Sequence, residues 1–428
     1  MQAALTSRQA DPRQTPALSA PPEWPVYDAA AIDRCASLVA AGRSFDYRRG
    51  EEITELETLF TSYYARTYAL NFNSGTSALF AAYYALGLNP GDEVLAPAYT
   101  FLATVSPLFL VGAIPVLCDS GGENGNVTVA TLERRLTTRT RAIVITHLWG
   151  HPCQMDEIVA FAHVHGLKLI EDCSHAHGAT YHGRKVGTFG DAAIFSIGAH
   201  KTVSGGNGGI LMTDASEVYQ RACLLGHFQQ RSRLSVTFGP NAAFTDIGLG
   251  GNLRISPLAA ALASSHMRRL DELIATKTRN LRRVLDAICD GDGIRAVPVE
   301  RGCTMGGWYG CVVRLDERAL GFSRAGLMAA LSRAGVPGGV PSTAPLHRTS
   351  IFRGEIPSPW SLYADPIMRS RMNCTSESFA MAETLFDQWV SLPANLFHDE
   401  GGVFVEPYAD AFIDAVRSMR RNGWTRAQ

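Results

Sequence analysis

The chain has 428 residues, of which 46% are hydrophobic and 18% charged, a balance that supplies a sizeable core and excludes a wholly disordered chain. Lys and Arg number 39 and Asp and Glu 40, so the formal charge of −1 gives no overall attraction for nucleic acid or for an anionic membrane. The nine cysteines are never spaced as C-x-x-C, which excludes a zinc ribbon and a disulfide framework and favours a cytoplasmic location.

The N-terminal stretch and the longest apolar run carry no targeting or membrane signal. Residues 1–22 are rich in Ala, Pro, Gln and Ser and have no apolar core, so we predict a disordered leader. The apolar run over residues 101–117 is interrupted by two prolines and a glycine and is too short to span a membrane. We therefore expect a soluble globular protein.

Helical spacing alternates with short apolar runs from residue 51 to about residue 225. Apolar residues recur at helical intervals over 52–64, 77–87 and 155–165. The short runs, typical of strands, cover residues 68–72, 93–97, 114–118, 142–149, 167–172, 192–196 and 209–213. Strands that are apolar on both faces and separated by helices predict an α/β fold, in which helices cover a mostly parallel sheet on both sides.

A different pattern begins near residue 256. One long helical pattern covers residues 256–289, a strand-like run covers 308–314, and helical patterns cover 323–334 and 407–420. This arrangement predicts a smaller α+β domain. We expect a large domain over residues 23–265 and a small C-terminal domain over residues 266–428, with the long helix bridging the two.

Several common motifs do not match. The glycines at 205–209 do not form G-x-G-x-x-G, no serine lies in G-x-S-x-G, and Lys201 lacks the preceding glycines of a phosphate-binding loop. The histidines within 147–151 and 163–177 are not spaced to share one helical face, so we expect no metal site.

Two segments at predicted strand ends have the chemistry of an anion site and of a ligand-facing carboxylate. Asn73–Ser77 lies between a strand and a helix, where backbone N–H groups and hydroxyls favour phosphate, although Ser and Thr are also ordinary helix caps. Asp172 ends a buried strand, at the edge of an α/β sheet where ligands bind, although a turn carboxylate is the alternative.

A lysine and aromatic side chains follow two further strands. Lys201 comes shortly after Ser196, and the surrounding glycines leave room for a partly desolvated amine, whose lowered pKa permits Schiff-base chemistry. Tyr99 and Phe101 follow another strand, where a flat ring can stack on a flat cofactor. A solvated lysine and core packing are the ordinary alternatives. Pyridoxal phosphate uses an anion site, a carboxylate, a lysine and an aromatic face together, so it explains all four features.

Seven ordered blocks resemble the DegT/DnrJ/StrS family of fold type I pyridoxal-phosphate enzymes, which are mostly aminotransferases of keto-sugars and keto-cyclitols. The blocks are NSGTSAL (73–79), GDEVLAPAYTFLAT (91–104), HLWGHPCQMDEI (147–158), IEDCSHAHGA (170–179), GTFGDAAIFSIGAHK (187–201), GGNGGIL (205–211) and GNLRISPLAAAL (251–262). The resemblance extends from about Ser44 to Arg417 and therefore covers nearly the whole chain.

The resemblance implies a role for each candidate residue. Lys201 is implied as the Schiff-base lysine and proton shuttle, and Asp172 as the partner of the pyridinium nitrogen. The other implied roles are His175 beside the ring, Phe101 stacked on its face, Thr76, Ser77 and Ser196 at the phosphate with Gly75 next to them, Asn252 at the phosphate from the partner subunit, and His347 near the substrate.

The implied activity moves an amino group from glutamate or glutamine to a keto-sugar or keto-cyclitol, in secondary-metabolite or surface-sugar biosynthesis. Because Asn252 is implied to act in trans, we expect a homodimer. A pyridoxal-phosphate enzyme of another reaction type (a cyclase, dehydratase or lyase) and a non-catalytic homologue are the alternatives. We expect small-molecule donor and acceptor ligands, and neither nucleic acid nor a membrane as partner.

Two positions depart from the family pattern. Asn207 stands where the family usually has Glu, and a bulky His200 precedes Lys201 in place of a small or polar residue. The change to Asn207 removes a carboxylate and either alters the choice of donor or substrate or is neutral. Both departures are also compatible with an enzyme of another reaction type. The retained Lys201 argues against the branch that replaces this lysine by His and performs dehydration. We expect substrate contacts from the loops near residues 227–233, 238–246 and 338–347.

Overall fold

The structure, a computed structural model, describes residues 20–421 except residues 238, 247, 290, 292, 355–369, 373, 375 and 376. The predicted leader lies outside the described residues up to residue 19, as does residue 238 of one predicted substrate loop. The described strands are β1 (Tyr68–Phe72), β2 (Glu93–Pro97), β3 (Ile114–Cys118), β4 (Thr140–Thr146), β5 (Lys168–Asp172), β6 (Thr180–Tyr181), β7 (Arg184–Lys185), β8 (Ala192–Ser196), β9 (Gly209–Thr213), β10 (Ile294–Ala296), β11 (Cys303–Thr304), β12 (Cys311–Leu315) and β13 (Trp389–Leu392).

Helices account for much of the remaining chain. The described α-helices are α1 (Ala29–Ala40), α2 (Glu51–Tyr64), α3 (Gly75–Ala85), α4 (Ser106–Val111), α5 (Val129–Glu133), α6 (Met155–Val164), α7 (Ser216–Gly226), α8 (Gln229–Ser235), α9 (Pro257–Arg268), α10 (Leu270–Ile288), α11 (Glu317–Leu320), α12 (Arg324–Arg333), α13 (Ser350–Arg353), α14 (Ala380–Gln388) and α15 (Val405–Arg421). Among the helices of the described ranges, none combines the length and the apolar character that crossing a membrane requires.

A seven-stranded sheet in the order β1-β9-β8-β5-β4-β2-β3 forms the centre of the fold. Neighbouring strands run parallel except at β9, which is antiparallel to both β1 and β8. The strands are buried on both faces, as the continuous apolar runs require, and helices such as α3, α6 and α7 pack against them. The predicted α/β fold with a mostly parallel sheet is confirmed. The carboxyl ends of β1, β2, β4, β5 and β8 therefore meet at one edge.

A second, smaller apolar cluster lies in the C-terminal part of the chain. It gathers buried residues of α10, α12 and α15 around the three-stranded sheet β10-β12-β13. The strand predicted over 308–314 occupies Cys311–Leu315, since residues 305–310 form a loop that approaches the main sheet edge.

The single long helix predicted over residues 256–289 is divided in two. Arg269, with φ −105° and ψ 11°, leaves the helical region between α9 and α10. The two halves have different packing partners, because α9 packs on α1 and α2 whereas α10 packs on α15. One straight helix would not serve both sets of neighbours.

Candidate active site

The carboxyl edge of the sheet opens into a cleft of about 600 Å³, part of which is open to solvent. Most of the residues predicted for the site meet there although they are distant in sequence. The predicted residues that line the cleft are Gly75, Thr76, Phe101, Asp172, His175, Ser196 and Lys201. Asn207, one of the two departures from the family pattern, also lines it, whereas Ser77, Asn252 and His347 do not.

The N-terminus of α3 forms one wall of the cleft. The Ser74 hydroxyl caps the helix by accepting a hydrogen bond from the Ser77 N–H at 3.0 Å. A Cβ added at Gly75 would lie 2.8 Å from the Cβ of Ser196, so glycine is required for the close approach of the helix to the end of β8. Thr76 is exposed at this helix start. Free N–H groups and hydroxyls thus meet at the positive end of the helix dipole, as an anion site requires.

Asp172 is buried at the end of β5 and has protein partners on both carboxylate oxygens. Its Oδ2 accepts a hydrogen bond from the Thr104 hydroxyl at 2.8 Å, and its Oδ1 accepts one from the Ser174 N–H at 3.1 Å. The Thr104 hydroxyl also belongs to a buried group with the hydroxyls of Thr100 and Thr146. This network fixes the carboxylate while leaving acceptor capacity toward the cleft.

Lys201 lies on the loop after β8, with its amine between the cleft and the ring of Tyr309. Burial lowers the pKa of the amine to about 7, and the nearby Asp172 carboxylate partly opposes this effect. The amine lies 3.6 Å from the Tyr309 ring centroid and makes no hydrogen bond within the described part of the chain. A large fraction of the amine is therefore neutral, and nucleophilic, near neutral pH.

His175 is a buried neutral imidazole packed against two aromatic neighbours. Its ring stacks on Tyr309 at 4.0 Å and on Trp149 at 5.6 Å, and its Nδ1 accepts a hydrogen bond from the Trp149 N–H at 3.4 Å. Burial, together with the charge of Lys201, holds the pKa of His175 well below its ordinary value. An accepting Nδ1 places the proton of the neutral ring on Nε2.

The structure separates the two aromatic candidates that follow β2. Tyr99 is 1% exposed and stacks on Trp389 at 5.4 Å, so it belongs to the core. Phe101 is 58% exposed and lines the cleft. An apolar ring left exposed at the mouth of a cleft is suited to stacking on a flat ligand.

Three predicted site residues lie elsewhere in the isolated chain. The Ser77 hydroxyl donates a hydrogen bond to Asn73 Oδ1 at 2.7 Å and so serves the helix cap. Asn252 is exposed, and its Oδ1 accepts hydrogen bonds from the Arg254 guanidinium. His347 stacks on Phe379 at 4.4 Å and pairs with Glu383 at 3.1 Å.

A buried His147–Glu171–Cys173 group has ligand atoms close enough together to surround a metal ion. The Glu171 carboxylate already accepts three backbone N–H bonds, from Gly187, Phe189 and Gly190, each at 2.7 Å. Its Oε2 lies 3.2 Å from Nε2 of His147. The carboxylate is thus saturated with donors, and the group ties the end of β5 to the loop before β8.

Sequence reasoning missed Tyr309, Trp149 and Thr104. Tyr309 reaches Lys201 across more than 100 residues of chain, and a tyrosine ahead of a short strand carries no signal of such a contact. Thr104 is one of several threonines in an apolar segment. Trp149 lies in a block quoted for the family resemblance, and its φ of 58°, rare for a bulky residue, is a feature of the fold alone.

Comparison with known proteins agrees with this geometry. The sequence pattern of the DegT/DnrJ/EryC1/StrS aminotransferase family matches residues 30–395. The chain belongs to this family. Within it, L-glutamine:2-deoxy-scyllo-inosose aminotransferase of Streptoalloteichus tenebrarius is 32% identical over 351 residues, which cover 79% of this chain and 81% of that protein. GDP-perosamine synthase of Escherichia coli O157:H7 is 36% identical over 229 residues, which cover 54% of this chain and only 61% of that relative.

Solved structures extend the likeness to the whole fold. The aminotransferase from Psychrobacter cryohalolentis superposes with a TM-score of 0.81 at 26% identity, covering 94% of this chain and 100% of that one. GDP-4-keto-6-deoxy-D-mannose-3-dehydratase of E. coli, solved with bound hydrated PLP, gives a TM-score of 0.77 at 20% identity, covering 92% of this chain and 99% of that one. The second likeness shows the fold alone. The predicted family and the fold of the type I pyridoxal-phosphate enzymes are confirmed.

The cleft residues fit the cofactor implied by this fold. The start of α3 is kept open by Gly75 and supplies donors for a phosphate. The Lys201 amine, whose pKa is lowered by burial to about 7, faces the same space, and Asp172 supplies a fixed carboxylate at the end of β5. An anion site, an amine and a carboxylate in one cleft are the groups that pyridoxal phosphate needs for binding.

Proposed function

We propose that the protein is a pyridoxal-phosphate-dependent aminotransferase that moves an amino group from glutamine or glutamate to a keto-cyclitol or keto-sugar, in secondary-metabolite or surface-sugar biosynthesis. The observation that carries this proposal is the Lys201 amine, whose pKa is lowered to about 7 in a cleft that also holds Asp172 and the open start of α3. Membership in the aminotransferase family, and the named activities of the relatives, support the same reaction.

The proposed cofactor contacts follow from where the side chains lie. Thr76 and Ser196, with the backbone of Gly75, would hold the phosphate, and Phe101 would cover the ring on one face. Asp172 would pair with the ring nitrogen, and His175 would lie beside the ring. When bound, pyridoxal phosphate supplies an aldehyde that captures amines and a ring that accepts electrons from the adjoining carbon.

Ser77 has a less direct proposed role. Its hydroxyl and its backbone N–H are both engaged in the cap of α3, so we propose that it supports the phosphate site by fixing the helix start. His347 is kept as a proposed substrate contact from the loop region 338–347.

Lys201 would act twice in this reaction. Its neutral amine would hold the cofactor covalently. Once freed by the donor, its Nζ would take the proton from the donor's Cα and release it again within the same cleft. An amine with a pKa near 7 can both accept and release a proton at neutral pH, and its fixed position adds the advantage of proximity.

The active unit is proposed to be a homodimer. Asn252 is exposed and does not line its own chain's cleft, which is consistent with a contact made to the phosphate in the partner subunit. All nine cysteines are free thiols, which supports the reducing cytoplasm as the location. We also propose the division into a cofactor-binding domain over residues 23–265 and a small domain over 266–428. The second apolar cluster lies within the proposed small domain, whereas the first extends into it as far as Trp389.

A labelled-nitrogen experiment tests the proposed reaction. The loaded protein would be incubated with glutamine or glutamate carrying ¹⁵N at the α-position and with either a keto-cyclitol or a nucleotide-linked keto-sugar. We expect one equivalent of keto acid from the donor for each acceptor aminated, and ¹⁵N in the aminated acceptor by mass spectrometry. Loss of water from the acceptor without incorporation of ¹⁵N would contradict the proposal and favour a dehydratase, to which the Asn207 departure would then contribute.

A further inference from the structure

The ring of Tyr309 lies at the back of the cleft and faces the amine of Lys201. The amine is 3.6 Å from the ring centroid, a distance typical of a cation–π contact. The other interactions of the ring hold it in place, since it stacks on His175 with an interplanar angle of 14° and is nearly parallel to Trp149. Tyr309 does not line the cleft itself, so Lys201 stands between the ring and the space proposed for the cofactor.

The loop that carries Tyr309 is fastened by the buried Lys277 of α10. Nζ of Lys277 donates hydrogen bonds to the carbonyl oxygens of Gly307 at 2.7 Å and Trp308 at 2.9 Å. Trp308 has a φ of 47°, a strained value for a bulky residue, and its indole N–H donates to Thr278 at 2.9 Å. Two consecutive residues of α10 thus hold the backbone immediately before Tyr309 in one conformation.

The same fastening extends to the lysine loop. The Thr202 hydroxyl donates a hydrogen bond to the Gly307 carbonyl at 2.8 Å, and a Cβ at Gly307 would lie 2.2 Å from the Thr202 Oγ1. Asn395 links Lys277 to the backbone next to Lys201. Its Oδ1 accepts a hydrogen bond from Lys277 at 3.3 Å, and its Nδ2 donates one to the His200 carbonyl at 2.9 Å. The positions of Tyr309 and Lys201 are therefore set by one hydrogen-bonded unit.

We propose that Tyr309 is a catalytic residue whose ring face holds the protonated amine of Lys201 at the back of the cleft whenever that amine is released, and that Lys277 is the positioning residue for this ring. The inference rests on the proposed function, in which Lys201 becomes a free ammonium in each turnover. A buried ammonium without a partner is costly, whereas a carboxylate partner would hold the proton too firmly. A ring face gives a weaker attraction and leaves the proton transferable.

Several charged or titratable groups surround this amine and bear on any test of its protonation. Asp172 faces it from the end of β5, and His175 and His177 lie near it in the following turn. Lys277 lies behind the Tyr309 loop. Asp172 favours the ammonium, and burial together with the charge of Lys201 lowers the pKa of both imidazoles. The ring is therefore the neighbour whose effect can be varied without changing a charge.

The test measures how readily Lys201 is alkylated as a function of pH in the full-length protein without cofactor. Formaldehyde and cyanoborohydride methylate neutral amines, and peptide mass spectrometry locates the label. Tyr309→Phe retains the ring face, and mono- and trifluorinated phenylalanine introduced at the same position weaken its attraction for cations with little change of shape. We expect wild type and Tyr309→Phe to share one midpoint, and the fluorinated series to lower it stepwise by about one pH unit in total.

Lys185 is the internal control, because its amine lies 4.2 Å from the centroid of the Tyr63 ring and is read in the same digest. Its midpoint should be unchanged throughout. An identical Lys201 midpoint in every member of the series would overturn the role of Tyr309. The fluorinated variants are preferred to Tyr309→Leu, because loss of the whole ring would also remove the stack on His175 and destabilise the fold.

Lys277→Met tests the positioning role, because the loss of positioning and the loss of a positive charge would shift the Lys201 midpoint in opposite directions. If Lys277 acts by fixing Tyr309, its loss lowers the Lys201 midpoint, by less than the trifluorinated ring does. If it acted on Lys201 through its charge alone, its loss would raise the midpoint, and the positioning role would be wrong. No donor or turnover enters these measurements, so their failure is distinguishable from failure of the proposed aminotransferase reaction.

Discussion

Two buried lysines with the same lowered pKa occupy very different surroundings. Burial brings the pKa of both Lys201 and Lys277 to about 7. Lys277 donates three hydrogen bonds to oxygen atoms, whereas Lys201 faces an aromatic ring and open space. A lowered pKa therefore does not by itself identify a reactive amine. The Lys201 amine, which has no hydrogen-bond partner among the described residues, is available for chemistry, and the fully bonded Lys277 amine supports the structure.

The largest difference is expected in catalysis. Lys201→Ala should lower amino transfer by about 10⁴-fold or more, because both the covalent anchor and the proton shuttle are lost. The variant should still fold, since a desolvated amine is removed and no buried hydrogen bond is broken. Steady-state rates and a thermal melt measure the two properties. Lys277→Met is the matched comparison. If a folded Lys277→Met protein lost as much amino-transfer activity as Lys201→Ala, the two lysines would not differ in catalytic role.

Asp172 is expected to have the next largest effect on activity. Asp172→Asn should reduce amino transfer by about 100-fold or more, because an amide cannot supply the negative charge that keeps a ring nitrogen protonated. Thr104→Val, which removes one hydrogen bond to the same carboxylate, is the control and should cost about tenfold. Equal rates for Asp172→Asn and wild type under saturating cofactor would show that this carboxylate has no part in the chemistry.

Much of this arrangement could be predicted from the sequence. The bounds of β1, β2, β3, β8 and β9 agree with the apolar runs, because strands buried on both faces leave a continuous signal. Lys201, Asp172 and Phe101 follow strand ends, and a parallel sheet brings such positions to one edge whatever their separation in sequence. Local pattern therefore sufficed for the part of the site that the main sheet builds.

The remainder of the site depends on contacts that local patterns do not encode. Tyr309 arrives from the smaller part of the chain, and its position is decided by hydrogen bonds to backbone oxygens. The burial of Lys277 does have a signal in the sequence, since this lysine lies four residues after Leu273 and four before Leu281 on the buried stripe of α10. A lysine on an apolar stripe indicates a buried charge that needs partners. The break at Arg269 has no such signal in the sequence, because it results from the different packing partners of α9 and α10.

For the stability of the fold we expect the reverse order, with Lys277 contributing more than Lys201. Lys277→Met should lower the free energy of unfolding by about 2–3 kcal/mol at pH 7, because the carbonyl oxygens of Gly307 and Trp308 each lose one hydrogen-bond donor. Urea unfolding followed by circular dichroism measures the change. Lys168→Met removes an exposed charge and should change stability by less than about 1 kcal/mol. An unchanged Lys277→Met protein would mean that the Tyr309 loop is held by other contacts.

The dependence of stability on pH is an effect that the two lysines share. Because the folded-state pKa lies near 7 and the ordinary value is 10.5, the unfolded chain binds more protons between these pH values. Each lysine therefore makes stability rise with pH across this window, by at most about 1.4 kcal/mol per pH unit. Lys201→Met should remove its share of that rise, measured by urea unfolding at pH 7.5 and 9.5. An unaltered slope would contradict the lowered pKa.

The absorption spectrum of the loaded protein tests the central claim most directly. Purified wild type and Lys201→Ala would be mixed with pyridoxal phosphate and scanned before and after addition of glutamine or glutamate. The account predicts a long-wavelength band in the wild type that the variant lacks, and its replacement by a shorter-wavelength band when the donor is added. A band of equal intensity in Lys201→Ala, or no band in either protein, would contradict the assignment of Lys201 and of the cleft around it.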